Sequence, residues 1–160
     1  MIVYSGHGTV DHAEPLSLNT RDATIARRIA SQLREFRQVK RDKQGRAIRR
    51  EAGGLPFVRA IGWYTDDHNC AQISTNLTDY RVTGPHLLLR KAQTLAAEAG
   101  VKIIATELIG CLPRQALFND LEKPIMTTEQ AAAALLLGPN FDPAERVLEN
   151  QLSRLFPGAS

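Results

Sequence analysis

Long apolar runs are missing from this 160-residue chain. None approaches the roughly 20 residues needed to cross a bilayer, so no membrane partner is expected. Cysteine is scarce: Cys70 and Cys111 lie far apart, which argues against a disulfide scaffold and predicts a reduced, cytoplasmic protein. The start, MIVYSGHGTVDHAEP, lacks the basic segment, apolar stretch and small-residue cleavage site of a secretion signal. Also missing are a Gly-rich phosphate loop, a Ser-His-Asp order and a Cys-x-x-C pattern. His7 and His12 flank Asp11, but two histidines at that spacing without helical context are a weak ligand pattern, and no metal is expected.

What is present suits one globular domain: 43% hydrophobic and 23% charged residues, in a chain long enough for a real core. The net charge of +3 is unevenly spread. Between Arg37 and Gly53, seven Lys and Arg face only Asp42 and Glu51, a local +5, so the remainder carries −2. The block reads as a solvated, flexible loop, or as a surface for an anion. It holds no aromatic residue on which a base could stack, which argues against a nucleic-acid partner.

Periodicity orders the chain. Thr20 is placed to cap a helix from Arg21 to about Phe36, with Ala26, Ile29, Ala30 and Leu33 on one stripe. The strand before it is Pro15 to Asn19 or Ile2 to Ser5. Phe57 to Tyr64 and Cys70 to Thr78 read as a hairpin around the turn TDDHN. The second strand alternates Ala71, Ile73, Thr75 and Leu77 with Gln72, Ser74, Asn76 and Thr78. Pro85 opens a helix that Gly100 stops, and Val101 to Leu108 is the last core strand. The order βαββαβ predicts an α+β, ferredoxin-like plait: an antiparallel sheet with both helices on one face. Residues 1–15 then form an N-terminal extension, 16–113 the plait with its basic loop 37–53, and 114–160 a helical C-terminal extension. In that tail, Thr127 with Gln130 and Asp142 with Glu145 have capping-box spacing, and Val147, Leu148, Leu152 and Leu155 mark an apolar stripe.

The set Gln72, Ser74 and Asn76 is either the wet side of an antiparallel sheet or a ligand face. Asn76, Thr78 and Asp79 at the strand end favour a ligand, since amides and carboxylates there read a heterocycle's donor and acceptor edge. Glu107 ends an apolar strand. If buried, its pKa would rise and suit it to proton transfer; otherwise it is simply emerging into solvent. His86 sits in a first helical turn where the dipole favours a neutral ring, which suits capping or packing. The substrate-binding candidates are thus Ser74, Asn76, Thr78, Asp79 and His86, and the catalytic candidate is Glu107.

Taken in order, LNTRDATIARRIA, VRAIGWY, AQISTNLTDY, VTGPH, TELIGCLP and FDPAERVLE resemble the C-terminal subdomain of glutamate formiminotransferase over about residues 16 to 155. The resemblance implies a ferredoxin-like subdomain, a homodimer, and tetrahydrofolate, a folate-type small molecule, held in a cleft between two subdomains. It implies transfer of a formimino group from N-formimino-L-glutamate to N5 of tetrahydrofolate, in histidine degradation. The family's catalytic histidine belongs to the N-terminal subdomain. No segment here resembles that half, so a separate N-terminal subdomain is an expected partner and the isolated chain is expected to be inactive. The alternative is a non-catalytic binding or dimerisation module derived from the same family. This chain departs from the family in VTGPH, where threonine is usually followed directly by proline, and at Ala105, where glycine is common.

Overall fold

A computed structural model describes residues 2–4, 14–108, 110–119, 127–138 and 141–156. The chain runs β1 (Ile2–Tyr4), β2 (Glu14–Leu18), α1 (Ala23–Leu33), β3 (Phe36–Arg41), β4 (Ala47–Ala52), β5 (Val58–Thr65), β6 (Cys70–Leu77), α2 (Pro85–Glu98) and β7 (Ile103–Ala105). A 3-10 turn (Arg114–Leu117), α3 (Thr128–Ala134), α4 (Pro143–Arg146) and α5 (Leu148–Leu155) follow.

Strands β7, β2, β6 and β5 lie side by side in that order, every neighbour antiparallel. Helix α1 packs on β5 and β6 and touches α2, so both helices cover one face. This is the ferredoxin-like plait predicted from the periodicities. Of the two candidate first strands, β2 takes that place. The other, β1, joins the same sheet parallel to β6, with Ile2 opposite Thr75.

Between sheet and helices lies an apolar core built from Leu16 and Leu18, Ile29 and Leu33, Ile73 and Leu77, and Leu88. Glycine sets its thickness at one point. A Cβ on Gly62 would stand 2.3 Å from the backbone of Ala26, so α1 rests directly on β5. Gly100, at φ +74°, ends α2 in the left-handed conformation that glycine adopts without strain.

Several local expectations are corrected. The cap of α1 is Asp22, not Thr20. Its Oδ1 accepts from the Thr24 N–H at 2.8 Å and the Thr24 hydroxyl at 2.6 Å, while Thr20 Oγ1 accepts from the Asp22 N–H at 3.2 Å. A charged acceptor suits the positive helix end better than a hydroxyl. The helix stops at Leu33, where the Leu55 N–H binds the Leu33 carbonyl at 2.9 Å.

The basic segment is not a loop but the two-stranded ribbon β3–β4, separate from the main sheet. Its turn is organised by Asp42, which accepts from the N–H groups of Gln44 (2.9 Å) and Arg46 (2.8 Å) and from Arg46 Nε (2.7 Å). The Asp and Gly of DKQG are turn chemistry hidden beneath the charge pattern.

The last core strand is shorter than predicted. After Ala105 the chain leaves the sheet, and Thr106 bridges Leu137 and donates its hydroxyl to the Leu135 carbonyl. In the tail, the capping box of Thr127 and Gln130 is present. Asp142 caps through the Ala144 N–H at 2.8 Å, whereas Glu145 turns away to Gln151 (2.9 Å) and Arg154. The tail helix breaks at Val147, which bridges Leu112. Val147 is buried, but Leu152 and Leu155 of the predicted stripe are exposed. Among the described residues no helix is long and apolar enough to cross a membrane.

Candidate functional site

Register places β6 between two environments. Val58, Ala60 and Gly62 stand opposite Leu77, Thr75 and Ile73 on the helix side. Arg59, Ile61 and Trp63 stand opposite Asn76, Ser74 and Gln72 on the other. The polar set is not a wet surface: Gln72 is 3% and Ser74 6% exposed. Gln72 Nε2 donates to Ser17 Oγ, on the neighbouring strand, at 3.2 Å. Asn76 is half-buried, and its Oδ1 is fully buried without a hydrogen-bond partner. A buried acceptor left unmet costs about 1–3 kcal/mol, and such groups call for an explanation. Accessible ground on this face therefore lies to either side of a buried polar middle.

On the β2–β7 side lies a cleft of about 200 Å³. Ser17 reaches it from β2, Ala105 and Glu107 from the end of β7, His68 from the β5–β6 turn, and Phe141 and Arg146 from the tail. Its wall at Leu137 and Gly138 is held by the Thr106 bridge, with Leu136 at φ +57°, a strained conformation for leucine. A carboxylate, a guanidinium, an imidazole and a hydroxyl thus converge beside an aromatic ring, the mixture expected where a polar heterocycle is oriented. The cleft is smaller than the roughly 300–1,000 Å³ of a complete ligand pocket.

The formiminotransferase domain family matches residues 15–131, a span that contains β2 from Pro15 onward, all of β5, β6 and β7, and most of the cleft. The chain belongs to that family. It is 36% identical over 138 residues to formimidoyltransferase-cyclodeaminase of Mus musculus, covering 78% of this chain and 24% of that protein. It is 35% identical over 104 residues to glutamate formimidoyltransferase of Thermoplasma acidophilum, covering 65% and 29%. With the Streptococcus pyogenes serotype M1 protein of the same name, identity is 30% over 113 residues, covering 69% and 33%. The chain therefore spans between about a quarter and a third of the length of these curated relatives.

Within this formiminotransferase domain the predicted site residues separate into groups. Asn76 is half-buried with its Oδ1 enclosed and unmet, while Glu107 lines the cleft. Glu107 is exposed, because the strand expected to bury it ends two residues earlier. Thr78 is tied back by donating its hydroxyl to the Phe57 carbonyl at 3.2 Å. Asp79 accepts both Nε and Nη2 of Arg81 at 2.9 Å, and that pairing holds its carboxyl below the usual range. His86 is 4% exposed, with Nε2 2.7 Å from the Leu117 carbonyl, so Nε2 carries the proton and donates. Ser74 is buried.

Ser17, His68, Phe141 and Arg146 join the site without a sequence signal: His68 belongs to a turn and Arg146 to the helical tail, and spacing does not reveal that both line the same cleft as the end of β7. Among the described residues no cluster of His, Cys, Asp and Glu side chains suits a metal ion. His7, Asp11 and His12 lie outside the described residues.

Proposed function

We propose that this chain forms one wall of a tetrahydrofolate cleft, acting as the C-terminal subdomain in transfer of a formimino group from N-formimino-L-glutamate to N5 of tetrahydrofolate. The observation that carries this reading is the family match over residues 15–131, which takes in the strands bearing Ser17, Gln72 and Asn76 and, two residues past β7, Glu107. The names of the Thermoplasma acidophilum and Streptococcus pyogenes relatives support the same chemistry.

In the transfer, N5 attacks the formimino carbon, the bond from that carbon to the glutamate nitrogen breaks, and the proton lost from N5 balances the one gained by the departing amine. Such chemistry needs the two reactants held in line and the developing charge stabilised. Asn76 supplies an unmet acceptor for a ligand N–H, and Glu107 a carboxylate at the cleft that can accept hydrogen bonds from the reactants. The segment from Arg37 to Gly53, with its seven Lys and Arg, provides an attraction for the anionic glutamate tail of the folate. The second wall comes from an N-terminal formiminotransferase subdomain, in a cytoplasmic homodimer serving histidine breakdown.

The test is a steady-state assay of 5-formiminotetrahydrofolate formation. The 160-residue chain alone is expected to show negligible turnover, with activity appearing when an N-terminal subdomain is added. Robust turnover by the chain alone would place the catalytic centre elsewhere, and failure to bind any folate would remove the reading.

A further inference from the structure

Away from the cleft, at the β5–β6 end of the polar face, Arg59 stands directly opposite Asn76. Directly opposed residues on an antiparallel pair hold their Cβ atoms about 4.5–5.5 Å apart on the same side of the sheet. Arg59 is exposed, and its guanidinium makes no ion pair among the described residues. Beside it is the buried, unmet Oδ1 of Asn76. Next along the strand, Ile61 is 57% exposed.

A planar fork of N–H donors, one orphaned acceptor and an adjoining apolar side chain have a specific complement. It is a carboxylate to accept from Arg59, an N–H on the adjacent atom to donate to Asn76, and methylenes to lie on Ile61. We infer that Arg59 and Asn76 form a subsite for the α-carboxylate and α-N–H of an N-substituted glutamate. The inference rests on the formimino-transfer reading and deepens it by naming the group these two residues hold. Two ligands of that reaction carry the group: N-formimino-L-glutamate itself and the glutamate tail of the folate.

Binding to the full 160-residue chain is followed by NMR titration, which reaches weak affinities, with three probes: N-formimino-L-glutamate, 5-formyltetrahydrofolate and 5-formyltetrahydropteroate, which lacks the glutamate. Arg59→Ala and Asn76→Ala are each expected to weaken a glutamate-bearing probe about tenfold, with Arg59→Lys intermediate, because a compact ammonium replaces the fork. Arg59→Ala is expected to leave the pteroate unchanged. Loss confined to N-formimino-L-glutamate assigns the subsite to the donor, and loss confined to the folate assigns it to the tail. Unchanged binding of both glutamate-bearing probes by Arg59→Ala overturns the subsite while leaving the folate cleft standing, as does equal weakening of the pteroate. If the wild-type chain binds none of the three, the cleft and the subsite both fall.

Discussion

The two faces of β6 use the same backbone for opposite ends. Toward the helices, Ala71, Ile73, Thr75 and Leu77 are 1% exposed or less, and α1 sits so close that Gly62 has no room for a methyl group. Away from them, Gln72 spends its amide on Ser17, Asn76 keeps a buried oxygen unmet, and Arg59 and Ile61 project into solvent. One face is packed against the helices, although the Thr75 Oγ1 within it also lacks a hydrogen-bond partner. The other adds an exposed cation and an exposed apolar side chain to its unmet oxygen, as a ligand-binding surface would. Stability and binding should accordingly separate by face, although the residues concerned alternate along eight positions of one strand.

The largest expected effect is on the packed face. Ile73→Ala removes a fully buried side chain and is expected to cost about 4 kcal/mol in chemical denaturation. Gly62→Ala drives a methyl group into the backbone of α1 and is expected to cost about 3 kcal/mol, with α1 amides losing exchange protection. A loss under about 1 kcal/mol in both would mean the helix layer is looser than described.

On the polar face the pattern reverses. Asn76→Ala and Glu107→Gln are each expected to weaken 5-formyltetrahydrofolate binding by about 1–3 kcal/mol while leaving the denaturation midpoint nearly unchanged. Asn76→Ala even removes an unmet buried oxygen, so a slight gain in stability fits. Destabilisation on the scale of Ile73→Ala would make Asn76 a structural residue.

The smallest effect is pH-dependent and belongs to neither face. Hydrogen bonds from Arg81 hold the Asp79 carboxyl below the usual range of an aspartate, so the ionised form is favoured in the folded chain. That contribution is present above the unfolded pKa and fades as pH falls through the lower, folded one. Asp79→Asn should therefore lower the denaturation midpoint slightly at neutral pH and flatten its decline below about pH 4. Equal slopes in the two proteins would show that the pairing adds nothing.

Much of the architecture was legible because two periods alternate cleanly along the chain. The stripe of Ala26, Ile29, Ala30 and Leu33 and the pleat of residues 70–77 each point one face at the core, and βαββαβ leaves few ways to combine them. The basic segment misled because charge concealed a turn that one aspartate organises. The site was half legible. Asn76 lay on an alternating strand whose second face could be read directly. Glu107 stands out as a carboxylate after an apolar run, and of its two readings, buried or emerging into solvent, the second holds because the strand leaves the sheet at Thr106. His68 and Arg146 reach the cleft through tertiary contacts with no local period, and Arg59 stands out only once its opposite residue is known.

The proposed ligand wall is the polar face, not the helix layer. Backbone amide shifts recorded while 5-formyltetrahydrofolate is titrated into the chain test this most directly. The expected result is a cluster of perturbations at Ser17, Arg59, Asn76 and Glu107, with α1 and α2 unmoved at Ile29 and Leu95. Perturbations centred on the two helices, or none at saturating ligand, would contradict it.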